Sequence, residues 1–443
     1  MARIDNILPY FSRALIYSVQ DKTAHIFVEA TLLSADIVGF TAVSRELARS
    51  GKEGAEELTA IANRYLAGLI AIIDRHGGDV LLFGGDALVV AFDGKKHALQ
   101  AARCGIEIQD ALCTSNRVET SRGTFVIGMH VGISSGDLEM RHAGGENRLH
   151  FLIRGKVLES LCAAEEASEA GQVIITSSTH HLLDAHAVAS PCHSDLYVLS
   201  EVESDTSKSH AESHGPEVTT ETTQALTPYL PPELRSRVAS GSLLEGEHRP
   251  TAILFAGYCD PDDADSLDNA FKEVDACVDR FGGTLVRDDF TKSGPRFLVL
   301  FGAPQALEDA AFQAVQCALE LRESAPSGLS LRLSVCHGQV FAGEAGSDTR
   351  KEYTVIGDAI NLAARLAGQA QSSQILIDSE VYGRVEGRVA TESHDSIQVK
   401  GIDAPVAIHS VGSLIVTTAS MDVGTPLIGR ETEIAAIRER LEK

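Results

Sequence analysis

Residues 56–92 read EELTAIANRYLAGLIAIIDRHGGDVLLFGGDALVVAF. Their apolar side chains first recur at helical spacing and then stop at Gly77-Gly78, a strong helix terminator. Beyond those glycines the pattern shortens. DVLLF and ALVVAF read as two strands joined through the turn Gly84-Gly85-Asp86. Upstream, ATLLSADIV (30–38) reads as a strand. Downstream, HALQAARCGIEIQDAL (97–112) reads as a second helix and FVIGMHVGISSGDLE (125–139) as further strand. The order β-α-β-β-α-β predicts a ferredoxin-like α+β sandwich.

The same pattern returns later in the chain. DRHGGDVL (74–81) matches DRFGGTLV (279–286) at an offset of 205. Gly136 matches Gly338, FLIRGKVLE (151–159) matches YTVIGDAIN (353–361), and GQVIIT (171–176) matches SQILID (373–378), all at an offset of 202. A nearly constant offset over separated blocks marks an internal repeat. Two copies of one domain are therefore expected, at 28–199 and 249–415.

Residues 1–27 form an N-terminal lead, and ILPYFSRAL (7–15) resembles LTPYLPPELRSRV (226–238) ahead of the second copy. Residues 200–248 connect the copies. Within them EVESDTSKSHAESHGPEVTTETTQ (201–224) is polar and aperiodic, the composition of a flexible linker. TPLIGRETEIAAIRERLEK (425–443) opens an amphipathic helix and stops, so 416–443 reads as the start of a further region of a longer protein.

Composition narrows the function. The 443 residues are 44% hydrophobic, too apolar for disorder, and their length suggests two or three domains. There are 38 Lys+Arg against 62 Asp+Glu, a formal charge of −24. Such a chain, with no basic block, suits neither nucleic acid nor an anionic membrane surface. No apolar run reaches the ~18 residues of a membrane span. The N-terminus carries Asp5 and lacks the layout of a secretory signal. The eight cysteines are scattered and none lies in a CxxC pair, which points to reduced thiols and a cytoplasmic location.

Asp36 ends a strand and opens IVGFT (37–41) ahead of a helix, where backbone N–H groups suit phosphate. Asp86 sits in the Gly-Gly-Asp hairpin. Alone, each aspartate reads as a cap or turn residue. On neighbouring strands, their carboxylates would converge beside a phosphate cradle and could hold two Mg²⁺ ions. The second copy has lost both positions: Gly257 or a near neighbour replaces Asp36, and Thr291 or Pro295 replaces Asp86. It offers Asn361 and Arg365 instead, four apart on one helix face, where the first copy has Glu159 and Ala163. This complementary loss predicts one composite site between two pseudo-equivalent domains. His180, His181, His186, His210 and His214 lack other ligands at metal spacing and read as ordinary polar residues.

ADIVGFT, FGGDALVVAF, HGQVFAGEAGS (337–347) and EYTVIGDAINLAARL (352–366) together resemble the signatures of class III nucleotidyl cyclases. The tandem arrangement, the polar linker and PLIGRETE resemble the soluble adenylyl cyclase branch, in which an NTPase-like region follows two cyclase domains. The resemblance implies conversion of ATP to cyclic AMP and pyrophosphate. By motif, it implies metal ligation by Asp36, Asp86 and the Ile37 carbonyl, with two Mg²⁺ ions that Mn²⁺ or Ca²⁺ can replace. It implies a triphosphate cradle at Val38, Gly39, Phe40 and Thr41, ribose orientation by Asn361, and transition-state stabilisation by Arg365. Adenine would be read by Lys292 and Thr354. In that branch a small anion, bicarbonate, binds the degenerate partner site through a Lys and an Arg. Here those positions are Leu82 and Cys162, and neither holds an anion; Arg154 and Lys156 lie close by in sequence.

Two other readings remain open at this level: a catalytically silent nucleotide-sensing module for a C-terminal NTPase, and a guanylyl cyclase. No G-x-x-x-x-G-K-[ST] occurs, so a P-loop ATPase is set aside. A long linker lets the copies pair within one chain, predicting a monomer with an intramolecular pseudo-dimer.

Overall fold

The computed structural model describes residues 6–85, 87–114, 116–145, 148–203, 218–241, 246–259, 264–291, 294–325, 330–398 and 405–415. They form two sheets flanked by helices, and the sheets have the same strand order. The first runs Asp79–Phe83, Ala87–Phe92, His25–Val38, Gly128–Gly144, Val173–Thr176, Leu196–Val202, Ala187–His193. The second runs Thr284–Thr291, Gly294–Phe301, Glu247–Cys259, Ser330–Gly346, Gln374–Asp378, Ile408–Leu414, Val389–Ser393. A further strand, Leu149–Arg154 or Lys351–Ile356, pairs with the long strand of each sheet. The internal repeat of the sequence is thus a repeat of α+β architecture. The first half also carries a separate hairpin, Arg117–Thr120 with Gly123–Val126.

The central strand His25–Val38 shows why these segments fold as they do. Successive side chains point to opposite faces. Leu33, Ala35 and Ile37 enter a core with the helices Gly51–Arg75 and His97–Thr114. Ala30 and Leu32 enter a second core with Val157, Leu158 and Leu161 of the helix Lys156–Ala167. Both faces are covered, and each fully buried leucine contributes roughly 1.5–3 kcal/mol.

The halves face one another through reciprocal contacts. The long helix Gly51–Arg75 packs on the strand Ser330–Gly346, and Ala264–Arg280 packs on Gly128–Gly144. The Gly346 amide donates to Asn63 Oδ1 at 3.1 Å, and the Gly144 amide donates to Asp268 Oδ1 at 2.9 Å. These bonds are images of each other under the repeat, as expected of a pseudo-dimer.

The lead segments cross over. The turn Leu8–Tyr10, which precedes the first half, packs on Lys351–Ile356 of the second, where the Tyr10 hydroxyl donates to Glu344. The turn Thr227–Tyr229, which precedes the second half, packs on Leu149–Arg154 of the first. There Tyr229 Oη lies 2.6 Å from His142 Nδ1. The polar composition of 201–224 suggests a structureless connection, but residues 220–224 belong to the helix Thr220–Leu226. Thr219 caps it by accepting from the Thr222 amide, and Leu226 is completely buried. Residues 204–217 and 416–443 lie outside the described residues.

Among the described residues no helix is long and apolar enough to cross a membrane. Seven described cysteines are free thiols, four of them buried.

Candidate active site

Asp36 lies near the end of the central strand, opposite His130 on one side and Ala87 on the other. The second pairing makes the strand that follows Asp86 in sequence, Ala87–Phe92, the neighbour of the strand that carries Asp36. Asp86 itself lies outside the described residues. Among the described residues no group of three His, Cys, Asp or Glu is placed to hold a metal. The donor chemistry of Asp36, Asp86 and the Ile37 carbonyl is nonetheless all oxygen, the set that Mg²⁺ prefers.

Past Val38 the chain turns through Gly39, whose φ of +93° is left-handed, into the helix Phe40–Ala48. A Cβ on Gly39 would stand 2.9 Å from the Val126 carbonyl oxygen of the extra hairpin. Only glycine suits this corner. Phe40 is buried at 1% exposure and anchors the first turn. The leading N–H groups of such a helix have no acceptor within it and carry the positive end of its dipole.

The other half of the site comes from the second sheet. The strand Lys351–Ile356 ends at Gly357 and leads into the helix Asp358–Gln369, which carries Asn361 and Arg365. Asn361 Nδ2 donates to Thr41 Oγ1 across the halves at 3.4 Å. Arg45 Nε and Asp358 Oδ2 form an ion pair at 2.6 Å beside it. Thr354, 1% exposed, donates from Oγ1 to the Gly85 carbonyl at 3.5 Å. Asn361 and Thr354 of the second copy therefore meet Thr41 and Gly85 of the first along one seam. Next to it lies a cavity of about 380 Å³ lined by Thr41, Arg45, His337, Asp358 and Asp378. Burial pushes the Asp378 carboxyl up to about 6 and the His337 imidazole down.

The second copy's losses are settled by register. Gly257 pairs with Arg296 as Asp36 pairs with Ala87, so Pro295 rather than Thr291 holds the place of Asp86. The hairpin there is longer, with Thr291 opposite Gly294 at its end. Lys292 lies outside the described residues. Another cation lies near Gly85. Arg287, 9% exposed, brings Nη2 to 3.9 Å from where a Gly85 Cβ would be. Arg287 is the 205-offset counterpart of Leu82, so the repeat alignment held the signal for it. Leu82 is half-buried and Cys162 is also partly exposed.

The model of the adenylate and guanylate cyclase catalytic domain matches residues 23–211 and again 255–412. Human adenylate cyclase type 10 is 24% identical over 387 residues, covering 77% of this chain and 24% of that protein. An adenylate cyclase of Mycobacterium tuberculosis is 32% identical over 142 residues, 30% of this chain and 31% of that one. The chain thus spans about a quarter of the length of the type 10 relatives it matches. Among solved structures, a class III adenylyl cyclase-like ATP-binding protein from Pseudomonas aeruginosa covers 81% of this chain and 85% of its own. Its TM-score is 0.57 at 13% identity, which speaks to the fold alone. With the family matched in both halves and both halves built alike, the chain belongs to the class III adenylate and guanylate cyclase catalytic domain family, carried twice in tandem.

Proposed function

We propose that this chain is an adenylyl cyclase that converts ATP to 3′,5′-cyclic AMP and pyrophosphate at one composite site between its halves. The observation that carries the reading is the Asn361–Thr41 contact. It joins the helix expected to bind ribose to the turn expected to bind phosphate.

In this reading the amides of Val38 to Thr41 hold the triphosphate at the helix N-terminus. Asn361 orients the ribose so that its 3′-oxygen lies in line with the α-phosphorus. Holding that alignment replaces a costly search with a prepaid one. Arg365 faces the equatorial oxygens as negative charge builds on the pentacoordinate phosphorus, which is electrostatic stabilisation rather than proton transfer. Asp36 and Asp86, with the Ile37 carbonyl, would hold Mg²⁺. Bound ions of that kind acidify the 3′-hydroxyl and neutralise the departing phosphates. Thr354 and a cation, Lys292 or Arg287, would choose the base. The tandem halves supply both sides of the site, so one chain suffices and no second copy is required.

The test is cyclic nucleotide production by the full chain with ATP or GTP in Mg²⁺ or Mn²⁺, with and without bicarbonate. Cyclic AMP that disappears in Asp36→Asn supports the reading. Cyclic GMP made from GTP in preference to cyclic AMP from ATP would make it a guanylyl cyclase. ATP binding with no product under any condition would leave a nucleotide-sensing module.

A further inference from the structure

Two thiols touch inside the second half. Cys277, on the helix Ala264–Arg280, and Cys317, on the helix Ala310–Ser324, bring their sulfurs to 3.5 Å. The Cys277 thiol also reaches the Cys317 carbonyl oxygen at 3.6 Å. Three residues further along each helix, Arg280 pairs with Glu320. The two contacts are successive rungs, since residues three apart on a helix lie on one face. The ion pair thus fixes the register that sets sulfur against sulfur. From that contact only a short approach remains to the bonding distance of about 2 Å.

The first half shows that the fold does not require a thiol pair. Its corresponding helices, Gly51–Arg75 and His97–Thr114, are joined by the same ion pair, Arg75 with Glu107. Three residues before those two lie Ile72 and Cys104. The cysteine of the second helix is therefore common to both halves, and only the residue of the first helix differs. All four side chains are buried in the cores of their halves. An aliphatic residue meets the packing need at this place, and the second thiol adds chemistry that packing does not call for.

The two sulfurs also differ in character. A hydrogen bond from the Cys317 thiol and the nearby Arg280 guanidinium hold Cys277 below the usual thiol range, against its burial. The same bond and burial hold Cys317 well above that range. In the first half, burial and Glu107 push Cys104 up. Cys277 keeps 3% of its surface, whereas Cys317 is completely enclosed. One thiol is thus suited to meet an oxidant and the other to resolve the product.

We propose that Cys277 and Cys317 are a peroxide-responsive redox site that closes into a reversible disulfide. The Cys277 thiolate attacks one oxygen of hydrogen peroxide, the O–O bond breaks, and the released hydroxide takes up the thiol proton as water. The Cys317 sulfur then attacks the resulting sulfenic sulfur, the S–O bond breaks, and the hydroxyl leaves with the Cys317 proton as a second water. Two thiols are oxidised by two electrons and one peroxide is reduced to two waters. The bond would pin the helix Ala264–Arg280 to the core of its own half. That helix also holds the first half, through Asp268 on the Gly144 amide at 2.9 Å and Asp275 on His150 Nε2 at 3.0 Å. Closing the bridge therefore stiffens one side of the contact between the halves.

The experiment treats the folded full chain with hydrogen peroxide, blocks remaining thiols in denaturant, and maps peptides without reductant. The peptides carrying Cys277 and Cys317 are expected to be joined, with the loss of two hydrogens, and dithiothreitol is expected to part them. Cys277→Ala and Cys317→Ala each remove the joined species, and if one variant fails to fold the other still reports. Amide hydrogen exchange along Ala264–Arg280 is expected to slow at least about tenfold in the oxidised chain and to stay unchanged in the variants. Oxidation of the exposed Cys113 and Cys192 with Cys277 and Cys317 both still open to alkylation would overturn the site. So would a bridge that forms only after unfolding, or sulfinic acid at Cys277 with no bridge. A bridge without slower exchange would overturn the stiffening. None of these readouts uses cyclic nucleotide formation, so they stand apart from the catalytic reading.

Discussion

Asn361 and Thr41 lie 320 positions apart in the chain and share a hydrogen bond of 3.4 Å across the two halves. One belongs to a helix that follows a strand of the second sheet, the other to the first turn of a helix in the first. Arg365 is one helical turn beyond Asn361 on the same face. Arg365→Ala is expected to lower kcat by about 10²–10³, with KM for ATP changed only a few-fold, if its interaction strengthens in the transition state as proposed. Asn361→Ala should cost roughly 10–100-fold through lost alignment. Steady-state cyclic AMP formation by each variant checks both.

Asp36→Asn keeps the size of the side chain and removes its charge. Turnover should fall below detection while the melt stays within a few degrees of wild type. Chelation of divalent ions from the wild-type assay should reproduce the same loss, and added Mg²⁺ or Mn²⁺ should restore it. Circular dichroism on the variant separates a lost ligand from a lost fold.

Gly39→Ala tests the corner that aims the phosphate turn. A methyl group there meets the Val126 carbonyl at 2.9 Å in a left-handed conformation. The expected cost is ~1–3 kcal/mol. Activity should drop further than stability, because the turn moves as a unit with Thr41. Parallel melts and rate assays would show the split.

Asp378 is buried, and its carboxyl is pushed up to about 6 by that burial, against two amide donors that pull it down. A raised acid pKa means that the folded state binds a proton before the unfolded state does. The charged form therefore weakens the fold near neutral pH, and the penalty is relieved as pH falls from about 6 towards the unfolded value near 4. Asn can still cap the helix Ser379–Val385, where Asp378 Oδ1 accepts from the Val381 amide. Asp378→Asn keeps that bond but sets an NH2 against the His337 amide, which donates to Oδ2 at 3.2 Å, so its Tm relative to wild type should be more favourable at pH 7.5 than at pH 4.5.

His142 carries the opposite sign. Burial holds its imidazole below the usual histidine range, while Ser18 Oγ at 2.8 Å and Tyr229 Oη at 2.6 Å occupy its two nitrogens. The unfolded chain takes up the proton first, near pH 6.5, so stability is full above that pH and falls as pH drops through the lower folded value. His142→Gln should flatten the wild-type loss of Tm between pH 7 and pH 5. Melts at closely spaced pH values would reveal it.

What could be read in advance follows from which forces are local. The helix and strands of 56–92 announce themselves through periodicity. Segments repeated about 205 residues apart fold alike, whereas the pairing of the Asp36 strand with Ala87–Phe92 is a long-range contact that the sequence leaves as a condition. Arg287 is legible only through the repeat, as the 205-offset counterpart of Leu82, and its own motif position does not single it out. The helices Thr220–Leu226 and Pro232–Ser240 are too short to declare themselves, and they exist because Leu226 and Leu234 find a core to enter.

The crossed leads make the two halves harder to part than two domains on a tether. Tyr10 reaches forward onto the second half and Tyr229 reaches back onto the first. The arrangement is that of a dimer with exchanged arms whose protomers have been spliced end to end. Severing the backbone anywhere between 203 and 218 would leave each fragment still gripping the other by its own arm. The peptide link between the halves then matters for bringing them together during synthesis, and much less for keeping them so.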